Sequence, residues 1–170
     1  GRPSWGTLGW IVTAAVAART AAMAFNRLVD RDIDAANPRT ASREIPSGAL
    51  STGFARGLVA AASLAFVGAA YCLNPLSAAL SPAVLAVLLG YSYVKRFSAA
   101  VHLVLGLALG LAPLGAWIAV RGNFDGDLGV PLLLFVVVWT WVAGFDVIYS
   151  CQDAEFDAER GLHSLPAKLG

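Results

Sequence analysis

Charged residues are scarce in this sequence. Of its 170 residues only 14% are Asp, Glu, Lys or Arg, whereas soluble domains average about 25%. Three stretches, residues 58–94, 97–120 and 128–145, contain none of these four residue types. A bilayer core needs about 20 mostly apolar residues per helix, and these stretches meet that need while leaving little material for a polar surface. The composition therefore excludes a water-soluble globular domain and predicts a polytopic integral membrane protein.

Cysteine and targeting signals are also in short supply. The two cysteines, Cys72 and Cys151, lack the spacing of metal ligands, which argues against a cysteine-bound metal. The opening residues GRPSW do not form the basic region of a signal peptide, and the chain does not begin with Met. We therefore expect an internal segment of a longer protein.

The apolar stretches predict an all-α bundle of about five membrane spans. Their runs are continuous and lack the alternation of a membrane β-barrel strand. Asn74-Pro75 divides the longest run, because proline cannot continue a helix and restricts the residue before it. The expected spans are residues 5–30, 51–73, 75–94, 99–120 and 130–149. Gly106-x3-Gly110 in the fourth span predicts close helix packing, since small residues let backbones approach in lipid.

Basic residues are distributed unequally between the two ends of these spans. Because consecutive spans alternate direction, the segment after the first span, the turn after the third and the tail after the fifth share one side. That side carries nine basic residues: Arg27, Arg31, Arg39, Arg43, Arg56, Lys95, Arg96, Arg160 and Lys168. The other side has only Arg2 and Arg121. The positive-inside rule predicts that the charged side is cytoplasmic.

Two acidic clusters lie on this same side. In NRLVDRDID, Asn26, Asp30 and Asp34 recur every four residues, which places them on one face of a continued helix, with a drift of about 40° per step. In DVIYSCQDAEFD after the fifth span, Asp146, Tyr149, Asp153 and Asp157 form a similar stripe on a continued helix. One alternative is that acidic residues simply mark helix ends at the interface, but that does not explain two periodic sets on the basic side.

Facing carboxylates repel one another, and a cation removes that cost. Oxygen ligands without His or Cys favour a hard ion, and Mg²⁺ prefers one or two carboxylates together with phosphates and water. The two clusters therefore predict a Mg²⁺–diphosphate site at the cytoplasmic end of the bundle.

Several cations are candidates to contact the diphosphate. Arg39, Arg43, Lys95 and Arg96 lie on the predicted side, and NPRTASREIPSG is a Pro- and Gly-punctuated loop that can fold over the site. Arg19 lies seven residues before Asn26, about 10 Å deeper along the helix. A charge at that depth is a functional hypothesis, and we expect Arg19 to face the cavity and meet the anionic group of a second substrate.

With these motifs in place, the sequence resembles the UbiA superfamily of intramembrane prenyltransferases. Its first signature resembles Asn26-x3-Asp30-x3-Asp34 followed by NPRTASREIPSG, and its second resembles DVIYSCQDAEFDAERGLHSLP with the core Asp153-x3-Asp157. The YSYVKRFS turn resembles the Tyr/Lys/Arg segment between them. Arg27 stands where the common form often has Asp. The motifs look closest to those of 4-hydroxybenzoate polyprenyltransferases and related enzymes of the futalosine menaquinone route.

The resemblance implies a nine-helix fold, of which this single domain, residues 1–170, would lack the first helix and the last three. It implies transfer of a polyprenyl group from polyprenyl diphosphate to a small aromatic acid, most simply 4-hydroxybenzoate, in quinone biosynthesis. The implied cofactor is Mg²⁺, and the implied surroundings are the bilayer of a bacterial inner (plasma) membrane; no nucleic acid or protein partner is expected. Asp30, Asp34, Asp153 and Asp157 would hold the metal, Asn26, Arg43, Lys95, Arg96 and Arg19 would bind substrate, and the catalytic group would be Asp146, Tyr149, Asp153 and Asp157.

Other functions stay open at this point. The same diphosphate chemistry serves a naphthoate-type acceptor of the futalosine route, a porphyrin or a chlorophyllide. From other classes, a divalent-cation transporter would place carboxylates near the bilayer midplane, and a structural membrane protein would need none. The acidic sets on one side of the membrane, with no acidic residue in the second to fourth spans, favour the enzyme.

Overall fold

The computed structural model describes residues 3–169, which form helices joined by turns. Five helices are long and apolar enough to cross a membrane, as the hydropathy predicts. The helices are α1 (Trp5–Val29), α2 (Arg31–Ala36), α3 (Thr52–Leu73), α4 (Pro75–Val94), α5 (Val101–Arg121), α6 (Gly129–Ser150), α7 (Ala154–Glu159) and α8 (Leu165–Leu169). The all-α bundle with five spans is thereby confirmed, and each predicted span ends within a few residues of the observed helix.

Local side-chain caps explain where α3 and α4 begin. The Ser51 hydroxyl accepts a hydrogen bond from the Phe54 amide at 3.1 Å, at the start of α3. The Asn74 side chain accepts from the Ser77 amide at 2.8 Å, and Pro75 occupies the first turn of α4, where its missing N–H costs nothing. The break at Asn74-Pro75 is therefore a change of helix, as the sequence indicates.

The long helices pack through small side chains. Helix α1 packs mainly on α3, α5 packs mainly on α6, and α4 contacts α1, α3 and α5. The buried apolar residues are almost all alanines: Ala17, Ala21, Ala22, Ala55, Ala62, Ala69, Ala70, Ala99, Ala108, Ala119 and Ala143. Helices in lipid associate through such close backbone contact, because lipid gives no hydrophobic drive between them.

The α5–α6 contact depends on Gly106 and Gly110. A Cβ atom on Gly106 would lie 2.4 Å from the backbone oxygen of Trp139, and one on Gly110 would lie 3.1 Å from that of Phe135. Neither oxygen can move without shifting α6. The small-residue pattern of the fourth span therefore has the packing role that it predicts.

Replacing Gly106 by alanine is expected to lower the stability of the helix pair by about 1–3 kcal/mol, the usual cost of overpacking. Gly115→Ala is the matched control, since a Cβ there meets nothing within 4 Å and gains the same helix propensity. The thermal midpoints of the two variants in detergent check the prediction. Equal midpoints would show that α5 and α6 separate without cost.

Sequence segments predicted to share one side of the membrane meet at one end of the bundle. The Arg96 guanidinium donates to the Val29 carbonyl at 2.7 Å, and the His163 amide donates to the Lys95 carbonyl at 2.7 Å. The end of α1, the α4–α5 turn and the tail after α6 are thus in contact. Arg121 lies at the opposite end of α5, while Arg2, the second basic residue assigned to that side, lies outside the described residues.

Candidate active site

The first acidic motif lies where α1 bends into α2. Asp30 has φ −90° and ψ 3°, outside the regular helix, yet its amide bonds to the Asn26 carbonyl at 2.9 Å and its own carbonyl accepts from the Asp34 amide at 2.7 Å. The predicted helical path from Asn26 to Asp34 therefore continues, with a bend at Asp30. Both carboxylates of this segment, Asp30 and Asp34, are buried.

Asp30 is the most enclosed of the acidic residues, with 2% of its surface exposed. Its Oδ2 atom lies 2.7 Å from the Lys95 ammonium nitrogen and accepts a 3.0 Å hydrogen bond from the Asn26 amide group. The Arg96 guanidinium lies 3.7 Å from the other oxygen, Oδ1. A buried carboxylate needs such charge partners, and here they come from the turn that follows α4.

Asp34 has a separate cationic partner. It is 4% exposed, and its Oδ1 atom lies 2.7 Å from the Arg43 guanidinium. The Thr40 hydroxyl donates to the backbone carbonyl of Asp34 at 3.0 Å. The loop after α2 therefore folds back onto the motif, as the Pro- and Gly-punctuated sequence predicts.

Asp153 from the second motif completes the group. Arg39 contacts both of its carboxylate oxygens, with the Nε–Oδ1 bond at 2.8 Å, and the Asn37 side chain donates to Oδ1 at 2.8 Å. The same guanidinium donates to the Tyr149 hydroxyl at 3.2 Å and covers the Tyr149 ring at 5.4 Å from its centroid. The hydrogen bonds to Asp153 raise the pKa of Arg39 above its ordinary value. Asp153 and Tyr149 thus share one cation from the first loop.

The second cluster does not lie on one continued helix, which corrects the expected stripe. Helix α6 ends at Ser150, and a 3₁₀ turn, Cys151–Asp153, precedes α7. A tighter turn rotates later residues relative to earlier ones. Asp146, which precedes this turn, faces α5, where its Oδ2 atom lies 2.7 Å from His102 Nδ1, while Asp157, which follows it, lies half-buried on α7.

The first-motif carboxylates fit a bound cation. Asp30 Oδ1 and Asp34 Oδ2 are buried and have no hydrogen-bond partner within the described part of the chain, although unpartnered buried oxygens are rare and costly. Within residues 3–169 no three acidic, His or Cys side chains converge as a ready-made cage. A divalent cation that binds through one or two carboxylates and keeps water or substrate phosphates in its remaining positions suits this arrangement.

Arg19 lies apart from this charged group. It is exposed, and it makes no ion pair with any residue in the range 3–169 that the structure describes. It lies two helical turns before Asn26 and on nearly the same face of α1. Arg19 is thus available to an anionic group located deeper than the carboxylates.

Comparison with known proteins shows the family of this chain. Residues 1–170 match the sequence pattern of the UbiA prenyltransferase family. The chain belongs to this family. Its apolar spans together with this membership make it an integral membrane protein.

Individual relatives support the same family. The mitochondrial 4-hydroxybenzoate polyprenyltransferase of Bos taurus is 36% identical over 95% of this chain and 43% of its own length. The 4-hydroxybenzoate solanesyltransferase of Synechocystis sp. is 35% identical over 96% of this chain and 55% of its own. The apo structure of a UbiA homolog from Aeropyrum pernix K1 is 42% identical, with a TM-score of 0.92 over 98% of this chain and 62% of that one. The chain spans about half the length of the curated relatives it matches.

Three polar residues of this UbiA-family site, Asn37, Ser92 and His102, are not among the predicted site residues. Arg39 is among the candidate diphosphate contacts, but its spacing does not predict its pairing with Asp153, and Asn37 and Ser92 carry no signal in their spacing. Ser92 is 2% exposed, and its hydroxyl oxygen lies 3.5 Å from the side-chain nitrogen Nδ2 of Asn26. His102 had a usable signal, because it is the only ionisable side chain in the uncharged stretch 97–120, where a polar group needs a buried partner.

Proposed function

We propose that the full-length protein transfers a polyprenyl group from polyprenyl diphosphate to an aromatic acid, with 4-hydroxybenzoate as the acceptor, in quinone biosynthesis. The observation that carries this proposal is the pairing of three enclosed carboxylates with three cations at one end of an apolar bundle: Asp30 with Lys95, Asp34 with Arg43 and Asp153 with Arg39. The names of the relatives support the same class of reaction.

The paired charges suit a substrate that is both anionic and metal-bound. In the proposed complex, Asp30, Asp34, Asp153 and Asp157 hold a divalent cation, with Mg²⁺ as our specific choice. Arg39, Arg43, Lys95 and Arg96 then turn toward the diphosphate. Such an exchange keeps every charge partnered, which matters because an unpaired charge in an enclosed site is expensive. A divalent cation bound there would supply positive charge that stabilises the departing diphosphate.

The reaction proposed is an electrophilic aromatic substitution. The allylic C–O bond breaks and its electron pair leaves with the diphosphate, whose growing charge Lys95, Arg43 and Arg39 offset. The allylic cation then bonds to the ring carbon beside the hydroxyl, and that carbon loses its proton. Tyr149, next to Arg39, and Asp146 are the groups we assign to orienting the acceptor or accepting this proton. The apolar bundle accommodates the prenyl tail and excludes water that would quench the cation.

The orientation proposed puts this site on the cytoplasmic side of a bacterial inner membrane. Its support is the excess of basic residues at the end of the bundle where the carboxylates lie. Cytoplasmic metabolites such as aromatic acids then reach the site directly, while the prenyl donor enters from the bilayer.

Product formation from defined acceptors tests the proposal. Membranes containing the full-length protein, Mg²⁺ and a polyprenyl diphosphate are incubated with 4-hydroxybenzoate or with a dihydroxynaphthoate, and products are identified by mass. Prenylated 4-hydroxybenzoate, lost in both Asp30→Ala and Asp153→Ala, is the expected result. Product only from the naphthoate would move the acceptor to the futalosine-type alternative. Undiminished product in both variants would contradict the site itself, and uptake of divalent cations into vesicles without product would favour the transporter.

Arg19→Ala is expected to raise KM for the acid about tenfold or more, the usual cost of losing a hydrogen bond to a charged group. KM for the uncharged methyl ester of the same acceptor should change little. Initial rates with both acceptors check this, and Arg56→Ala, which removes an exposed arginine on α3, is the control. An unchanged KM for the acid would remove Arg19 from the acceptor site.

A further inference from the structure

His102 is a buried polar residue that the proposed reaction leaves unused. It lies in the first turn of α5 and is 2% exposed. Both of its ring nitrogens are engaged: Nδ1 lies 2.7 Å from Asp146 Oδ2, and Nε2 lies 3.1 Å from the Leu165 amide nitrogen. A backbone amide can only donate, so Nε2 is the acceptor and the proton on Nδ1 is donated to Asp146. The imidazole therefore bridges α6 to the chain that follows α7.

The direction of that chain is set at the end of the second motif. Gly161 has φ +65°, and its amide donates to the Ala158 carbonyl at 3.3 Å, while the Leu162 amide donates to the Asp157 carbonyl at 2.9 Å. This pair of bonds is a Schellman motif, which requires the left-handed conformation that glycine adopts without strain. The backbone of Asp157 is thus bonded directly to the segment 162–165, here called the post-motif segment.

The post-motif segment is anchored at two further points. The His163 amide donates to the Lys95 carbonyl at 2.7 Å, and the Leu165 amide donates to His102. Lys95 is also the residue whose ammonium group pairs with Asp30. One short segment therefore joins the backbone of the second motif to the α4–α5 turn, which holds the first motif.

We propose that His102 is a positioning residue for the second acidic motif. By holding the post-motif segment against α5, it keeps α7, and with it Asp157 and Asp153, opposite Asp30. The expected effect on catalysis rests on the proposed function. The anchoring of the post-motif segment by His102 does not depend on that function. The two contacts require one donor and one acceptor on a single planar group at this position.

Two replacements separate hydrogen bonding from packing. Glutamine also presents one acceptor oxygen and one donor nitrogen on a planar group, so His102→Gln can bond to both the Leu165 amide and Asp146. His102→Leu has similar bulk and neither bond. His163→Leu is the matched control, because the side chain of His163 makes no hydrogen bond within residues 3–169 while its backbone amide is retained.

The first measurement is hydrogen–deuterium exchange of peptides covering residues 160–167 in the full-length protein in detergent. His102→Leu is expected to speed exchange of the Leu165 and His163 amides about tenfold, since losing one such bond is worth a factor of this size. His102→Gln and His163→Leu should exchange like the wild type. Equal exchange in His102→Leu and wild type would overturn the proposal, and so would fast exchange in both His102 variants.

The second measurement is prenyl transfer. We expect His102→Leu to lower kcat about tenfold, with little change in KM for the aromatic acceptor, and His102→Gln to restore kcat. Equal losses in the two variants would contradict a positioning role through hydrogen bonds. If His102→Leu does not fold, His102→Gln still tests the proposal, because its amide exchange rates and its kcat must both match those of the wild type. Absence of prenyl transfer in the wild type would count against the proposed function alone, since the exchange experiment needs no turnover.

Discussion

Asp30→Asn is expected to lower prenyl transfer by about a thousandfold at saturating substrate. Asp30 is enclosed, contacts Lys95 and Asn26, and has one buried oxygen without a hydrogen-bond partner in the described part of the chain. The substitution keeps the shape of the side chain and removes the charge that the proposed cation needs. Loss of one electrostatic group in an active site typically costs a factor of about 10² to 10³, and loss of a cation that depends on it adds to this. Initial rates in membranes over a range of Mg²⁺ concentrations check the prediction.

Asp32→Asn is the matched control for this experiment. Asp32 lies in the same motif, but its side chain is 84% exposed and pairs only with its neighbour Arg31 at 3.3 Å. The control should retain wild-type rates and the wild-type dependence on Mg²⁺. Comparable losses in the two variants would mean that acidity of the whole segment matters, and that the enclosed carboxylate has no special role.

Removal of the positive charge at Lys95 is expected to destabilise the protein as well as inactivate it. Lys95→Met leaves the Asp30 carboxylate, whose side chain is 3% exposed, without its 2.7 Å partner. Breaking such a pair from one side costs about 3 kcal/mol, because the buried charge loses its nearest partner and keeps only the Arg96 guanidinium, 3.7 Å from its other oxygen. The thermal midpoint of the full-length protein in detergent should therefore fall by several degrees.

The double variant Lys95→Met with Asp30→Asn separates the two effects. Removing both charges eliminates the buried Asp30 carboxylate that lost its Lys95 partner, so most of the lost stability should return. Prenyl transfer should stay absent. Lys168→Met, at an exposed lysine of α8, is the control for loss of a positive charge at this end of the bundle. A double variant no more stable than Lys95→Met would show that the ammonium group stabilises the fold through contacts other than Asp30.

The relation between the two acidic motifs shows how far sequence reasoning extends. Consecutive spans alternate direction, and an even number of spans, four, separates the segment after α1 from the tail after α6. This count alone brings the two segments to the same end of the bundle. The Arg39–Asp153 contact, 114 positions apart in the chain, depends on that arrangement. The number of spans does not predict which cation pairs with which carboxylate, because a flexible arginine side chain can reach several positions from one backbone site.

Sequence-local rules were sufficient to predict the helices, because the surrounding lipid requires the backbone to form its hydrogen bonds within each span. Lipid cannot bond to a bare backbone, so each apolar run of about 20 residues must be a helix, and Ser51, Asn74 and Pro75 determine where helices begin. The same argument identified Gly106 and Gly110 as a packing contact. Sequence patterns alone were therefore sufficient for the class of fold and the number of spans, and they bring the two acidic motifs to the same end of the bundle.

Tertiary structure decided the remainder. The bend at Asp30 and the 3₁₀ turn at Cys151–Asp153 interrupt the ideal helical periodicity on which the predicted stripes depend. Asp146, which precedes the 3₁₀ turn, pairs with His102 on α5. His102 acquires its role only when α6 and the post-motif segment converge on it. The physical reason is that helix formation is governed by neighbours in the chain, whereas the partner of a buried polar group is chosen by whichever distant segment packing brings within about 3 Å.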